Sequence, residues 1–123
     1  METTMTRRSN SLISEGNPMQ SCIDMCSQCI QFCQECINLC LQESNVRDRM
    51  YCIKTLQDCA EICSTAVCFM SRGSGHIREI CTVCAAICES CAKECSTFDD
   101  QHCQTCADTC RQCASECRHM LNM

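Results

Sequence analysis

Between Cys22 and Cys40 the chain runs CIDMCSQCIQFCQECINLC, six cysteines at alternating gaps of four and three residues. Residues three and four apart stack on one side of an α-helix, so this spacing marks a single helical face. A buried face normally carries Leu or Ile. Here it carries thiols, and the same device returns at 81–95 and 103–117, more loosely at 52–68. A chain built this way folds as helices whose common interior is lined with sulfur.

The breaks between these stretches set the architecture. Residues 1–16 are polar and weakly periodic, and are expected to form a disordered N-terminal tail; residues 17–123 are expected to form the folded unit. Asn17 and Pro18 suit an N-cap and a first helical position, which predicts helix one over about 18–43. Its inner face holds Cys22, Cys26, Cys29, Cys33, Cys36 and Cys40. Ile23, Ile30 and Ile37 lie on one flank, and Met25, Phe32 and Leu39 on the other. Helix two is predicted over 46–71, with Cys52, Leu56, Cys59, Cys63, Ala66 and Met70 inward. Helix three follows Gly73, Ser74 and Gly75, over 75–96, with Ser74 as its cap. Its seam is Ile77, Cys81, Cys84, Cys88, Cys91 and Cys95. Helix four covers 99–120, capped by Thr97 or Asp99, with Cys103, Cys106, Cys110, Cys113, Cys117 and Met120 inward. Short connections make consecutive helices antiparallel neighbours. The expected fold is all-α, an up-down-up-down antiparallel four-helix bundle with a cysteine-lined core.

One cysteine does not fit. Cys68 lies nine residues after Cys59, half a turn round the cylinder at 3.6 residues per turn. Exposure, a subunit contact and a local π-bulge all remain open for it.

Composition narrows the function classes. The 123 residues include 20 Cys, 8 Met, 3 Gly, 1 Pro and no Trp, with a net charge of −5. The acidic balance opposes nucleic-acid binding, which needs a basic face. So much cysteine in a short chain usually signals a secreted disulfide scaffold. Such scaffolds are loop-rich, whereas these cysteines keep helical time and Gly and Pro are scarce. Arg7 and Arg8 have the look of a twin-arginine export signal, but residues 9–20, SNSLISEGNPMQ, lack the apolar segment that should follow. No run approaches the roughly 18 apolar residues of a membrane span. The expected compartment is the cytoplasm, whose reducing conditions keep thiols free. No nucleophile–base order, phosphate loop or carboxylate pair stands out, so the expected protein is not an enzyme.

The chemistry lies in the pairs. CxxxC occurs at Cys22/Cys26, Cys29/Cys33, Cys36/Cys40, Cys59/Cys63, Cys84/Cys88, Cys91/Cys95, Cys106/Cys110 and Cys113/Cys117. Each pair aims two sulfurs along one face, one turn apart. Thiolates are soft donors that select Cu(I), zinc or iron–sulfur clusters. Each must lose a proton to bind. A monovalent ion per thiolate leaves the interior near neutrality, whereas a core of Zn(Cys)4 units would hold about two negative charges per ion in a low-dielectric medium. Iron–sulfur proteins gather their cysteines in loops, absent from this pattern. The pattern therefore favours many Cu(I) ions, with a zinc or cadmium thiolate buffer as the alternative. A redox protein whose cysteines pair as disulfides is a third reading.

The bundle ends add candidates. Met19, Met70 and Met120 fall at one end with Met25, His76 and His119. They are either a loading mouth of weaker thioether ligands or ordinary core methionines. The histidines there fall at solvated positions. Phe98, His102, Tyr51, Glu43, Arg49 and Asp99 form an apolar and charged plug at the other end, where His102 is either an extra ligand or a surface histidine.

With CIDMCSQCIQFCQECINLC, CAEIC, CTVCAAICESCAKEC and CQTCADTCRQCASEC on four helices, the sequence resembles the bacterial copper storage proteins, over about residues 18–120. The lack of an export signal makes it similar to their cytosolic branch. The resemblance implies many Cu(I) ions per bundle held mainly by cysteine, and homotetramers of bundles; a copper chaperone is a further candidate partner. The resemblance does not carry a ligand role to Cys68.

Overall fold

The computed structural model describes residues 11–122. Among these described residues there are four α-helices: α1 (Gln20–Leu41), α2 (Met50–Ser71), α3 (Ile77–Cys95) and α4 (Gln101–Met120). A short 3₁₀ turn, Val46–Arg49, leads into α2. Among the described residues there are no strands, and no helix is long and apolar enough to cross a membrane. The antiparallel four-helix bundle expected from the spacing is the observed architecture. Most of the expected tail, residues 1–10, lies outside the described residues. Residues 13–16 make a turn closed by a 2.8 Å bond from Gly16 N to Ile13 O.

Each helix packs against two neighbours. α1 and α3 each contact α2 and α4, while the diagonal pairs do not approach. A square of rods leaves a central lumen, and the buried side chains fill it. On α1 these are six cysteines and Ile23. On α2 they are Cys52, Cys59 and Cys63 with Ile53, Leu56, Ala60, Ala66 and Met70. Alanines beside the seam, Ala85 and Ala92 on α3 and Ala107 and Ala114 on α4, are also buried. Small side chains there let the backbones come close enough for thiols, which are short, to meet across the lumen. The wider stripe of Ile30, Phe32, Ile37, Ile80 and Ile87 is half-buried and seals the seams between helices. Leu39 departs from its expected flank: it is 39% exposed, because α1 and α4 leave a groove beside it.

The helix starts differ from expectation in instructive ways. α1 begins at Gln20, since Asn17 first closes a turn. Its Oδ1 accepts from Met19 N at 2.8 Å, and its carbonyl accepts from Gln20 N at 3.0 Å. Ser74 similarly accepts from His76 N at 3.0 Å, one turn ahead of α3. The cap of α4 is Asp100, not Thr97 or Asp99. Its carboxylate accepts from Cys103 N at 3.2 Å, the usual reach from N-cap to N3. Gly73 takes φ +65° in the break after α2, a conformation that suits glycine.

Candidate metal centre

Of the 20 cysteines, all but Cys68 are buried, and all are free thiols. The helical period that wrote them into the sequence puts their sulfurs on the lumen axis. The helix pairing then brings sulfurs from different rods into contact. Near the Met end, Cys22 Sγ lies 3.8 Å from Cys117 Sγ, which is 4.0 Å from Cys26 Sγ; Cys81 faces the same pair. Next along the axis, Cys26, Cys63, Cys84 and Cys113 form a group with one sulfur from each helix. Within it Cys113 is 3.6 Å from Cys26, and Cys63 is 3.8 Å from both Cys84 and Cys113.

The groups overlap. Cys63 and Cys113 recur in a second group with Cys29 and Cys88. Cys29 recurs in a third with Cys33, Cys59 and Cys110, where its sulfur is 3.8 Å from Cys59 and from Cys110. Cys91 and Cys106 face Cys110 and Cys33 further on. Cys52 and Cys95 then meet at 3.8 Å. The last group joins Cys36, Cys40 and Cys103 to His102. Sulfurs nearly 4 Å apart can grip a two-coordinate ion between them or take the corners of a tetrahedron, so spacing alone suits both. Because one sulfur recurs in two groups, ions held in neighbouring groups would share thiolates instead of occupying separate four-thiolate sites.

The thiols also share protons. Cys26 and Cys84 are pulled far below the ordinary thiol range, with the Cys113 thiol the first cause for each. Cys113 itself is pushed up, first by Cys117 and then by Cys26. Cys52 is brought down to about 4 by hydrogen bonds from Cys103 and Cys95. A thiolate among protonated neighbours is stabilised as their acceptor, while each donor is held in its protonated form. The shifts therefore run in opposite directions in neighbouring thiols, each lowered one beside a raised one.

The end of the lumen near Glu43 is built from charge. Arg49 is 5% exposed and its guanidinium stands 4.5 Å over the Phe98 ring. Its Nη1 donates to Cys103 Sγ at 3.5 Å and Cys40 Sγ at 3.7 Å, and its Nε donates to Asn45 Oδ1 at 2.7 Å. Nη2 lies 2.7 Å from Asp100 Oδ1, an ionic contact without hydrogen-bond alignment. Burial pushes the Asp100 carboxyl up, but Arg49 and Cys103 more than offset it and hold it at about 2. His102 is half-buried. Its Nδ1 lies 3.6 Å from Cys36 Sγ and from Cys103 Sγ. Its Nε2 lies 3.0 Å from Glu43 and 2.9 Å from Asp100. Burial lowers its pKa, and hydrogen bonds to Cys36 and Glu43 outweigh that and raise it. A metal-binding imidazole typically has its second nitrogen held by a carboxylate in this way.

Other sequence candidates stand apart. Cys68 sits on the outer face of an uninterrupted α2, which removes the bulge from its three readings. His76 and His119 are exposed, and His76 faces Glu79 at 3.4 Å. Met70 and Met120 are buried and Met19 packs against the core beside them. Tyr51 and Asp99 are exposed and leave the plug to Arg49, Phe98, His102 and Asp100. Asp100 was not among the expected residues. Its signal was its place three residues before Cys103, as Arg49 stands three before Cys52: each continues a sulfur seam by one step in a charged residue.

Comparison with known proteins agrees with this geometry. Residues 15–122 match the model of the family described as copper storage protein. The Cu(I)-bound copper storage protein BsCsp3 superposes with a TM-score of 0.80 at 42% identity, over 83% of this chain and 96% of that one. A cytosolic copper storage protein from Streptomyces lividans carrying five coppers superposes with a TM-score of 0.83 at 35% identity, over 85% of this chain and 92% of that one. A cysteine-rich protein of Bacillus subtilis (strain 168), YhjQ, is 43% identical over 83 residues, 68% of this chain and 77% of its own length. With sulfurs from four helices converging on one lumen and a family match over nearly the whole chain, this protein belongs to the copper storage protein family.

Proposed function

We propose that this protein stores Cu(I) in the cytoplasm as a continuous thiolate cluster, and is a store rather than a catalyst. The observation that carries this reading is the overlap of thiol groups along the lumen, with Cys26, Cys29, Cys63 and Cys113 each shared between neighbouring groups. Every seam cysteine from Cys22 to Cys117 is a ligand, and Cys68 is not. Each Cu(I) that enters displaces a thiol proton, so the interior charge stays nearly constant as the store fills. His102 supplies an imidazole nitrogen at the Glu43 end, while Met19, Met70 and Met120 offer weaker thioether sulfur at the other. Copper reaches the protein on a carrier, a copper chaperone or a small thiol complex. The bundles associate as homotetramers, for which exposed Leu41, Met50 and Tyr51 offer apolar surface near one end.

A zinc or cadmium buffer is the second reading, favoured by the Cys26, Cys63, Cys84 and Cys113 group, which has one thiol per helix and could close round a tetrahedral ion. An anaerobic Cu(I) titration of the reduced protein against a chromophoric competitor separates the two. Saturation near one ion per buried thiol supports the store. Saturation after a few ions, with zinc binding tighter, supports the buffer.

A further inference from the structure

Both axial ends of the lumen are closed. At one end Met70 is fully buried and Met120 is 8% exposed, with Met19 packed beside them. At the other, Arg49 lies across Cys40 and Cys103, pinned by Asp100 and Phe98. The side wall is indented. A groove of about 430 Å³ runs between α1 and α4, walled by Phe32, Leu39 and Thr105, and Cys36, Cys106 and His102 line it. Of the seam cysteines, Cys36 and Cys106 are the most exposed, at 2% each, and both are in this groove. The imidazole of His102 touches the Cys36 sulfur at 3.6 Å.

We propose that Cu(I) enters and leaves the lumen sideways, through the α1–α4 groove, by ligand exchange between a small Cu(I)–thiolate complex and Cys36 or Cys106. The inference rests on the storage reading. The groove's volume suits a small molecule and not a folded carrier domain; Phe32 and Leu39 give it apolar wall, Glu35, Gln101 and Thr105 add polar groups, and its inner donors are soft. The exchange is not redox. Copper stays Cu(I); one Cu–S bond to the carrier breaks, one to Cys36 or Cys106 forms, and the thiol proton leaves on the released carrier thiol. Cys36 then passes the ion to Cys40 and Cys103, 4.0 and 3.8 Å away.

The test loads reduced protein anaerobically with Cu(I) as its glutathione complex, and follows protein-bound copper by timed gel filtration and metal analysis. Thr105→Trp fills the groove from an exposed position. Val83→Trp adds the same ring on the exposed face of α3 as a control. Thr105→Trp should load at least fivefold more slowly than the control while reaching the same final copper content. Leu39→Ala, which widens the groove, should load faster than wild type. In the empty wild-type protein, brief alkylation mapped by mass spectrometry should mark Cys68 first, then Cys36 and Cys106 ahead of the remaining thiols. Equal loading rates for Thr105→Trp and its control, or alkylation reaching Cys22 and Cys117 before Cys36 and Cys106, overturns the side route. Should Thr105→Trp fail to fold, an unchanged rate in Leu39→Ala overturns it. Final copper content is read separately, so failure of the route and failure of the storage reading are distinguishable.

Discussion

Asp100→Asn isolates the charge of the Arg49 plug. Asn caps a helix about as well as Asp, so the bond from Cys103 N survives and only the negative charge is lost. What remains is a guanidinium 5% exposed, with no carboxylate at 2.7 Å to balance it. Breaking a fully buried pair from one side costs about 3–5 kcal/mol. The Asp100 side chain is 21% exposed, so water relieves part of this, and a value at or just below the lower end of that range, about 2–3 kcal/mol, applies. For a chain of this length each kcal/mol moves the melting point by roughly 3–4 °C, giving a fall of about 6–12 °C. The assay is thermal unfolding of the empty, reduced protein by circular dichroism. Arg49→Met removes the stranded cation and keeps apolar bulk over Phe98. The double variant should therefore regain at least about 1 kcal/mol relative to the sum of the single changes. A melting point within 2 °C of wild type for Asp100→Asn, or strict additivity in the cycle, would refute the buried-pair account of this end.

Three further outcomes follow from the same geometry. Replacing Cys29 and Cys33 together by Ala should lower Cu(I) capacity by about two ions or slightly more, because Cys29 is shared between two groups, while the helical circular dichroism spectrum is retained; unchanged capacity counts against both as ligands. Cys68→Ser should leave capacity and melting point unchanged and abolish the fastest-alkylating thiol, in keeping with its exposed place on α2. Asp100 also gives acid sensitivity a definite sign. Its folded pKa, about 2, lies below the ordinary value, so its contribution is complete above about pH 4 and is lost as pH falls through about 2. Urea unfolding between pH 2 and 6 should show a stability slope that is shallower in Asp100→Asn than in wild type.

How much of this was legible from the chain depends on which force placed each residue. The thiol seam was legible because a helix repeats every 3.6 residues whatever its side chains are. A cysteine at 22, 26, 29, 33, 36 and 40 has one common face, and burial of that face follows from the thinness of the rest of the apolar stock. The same counting put Cys68 off the face, and α2 carries it on the outside. The Glu43 end was less legible, because its residues are placed by helix termini and not by period. A 3₁₀ turn sets Arg49 at the mouth of the lumen, where a regular helix from residue 46 had been expected. The start of α4 falls one residue later than Asp99, which hands both the cap and the ion pair to Asp100.

His102 shows the same limit from the other side. Its neighbour in sequence, Cys103, owns the seam position, and successive residues on a helix point about 100° apart, which argued for an imidazole in water. But α4 is in its first turn there, beside the end of α1, and Glu43 and Asp100 hold Nε2 from outside while Nδ1 turns in toward Cys36. Two carboxylates and a buried cation surround the last thiols of the lumen on their outer side. At that end Arg49 lies across Cys40 and Cys103, which is why the proposed route runs through the side wall, where Cys36 and Cys106 reach the groove.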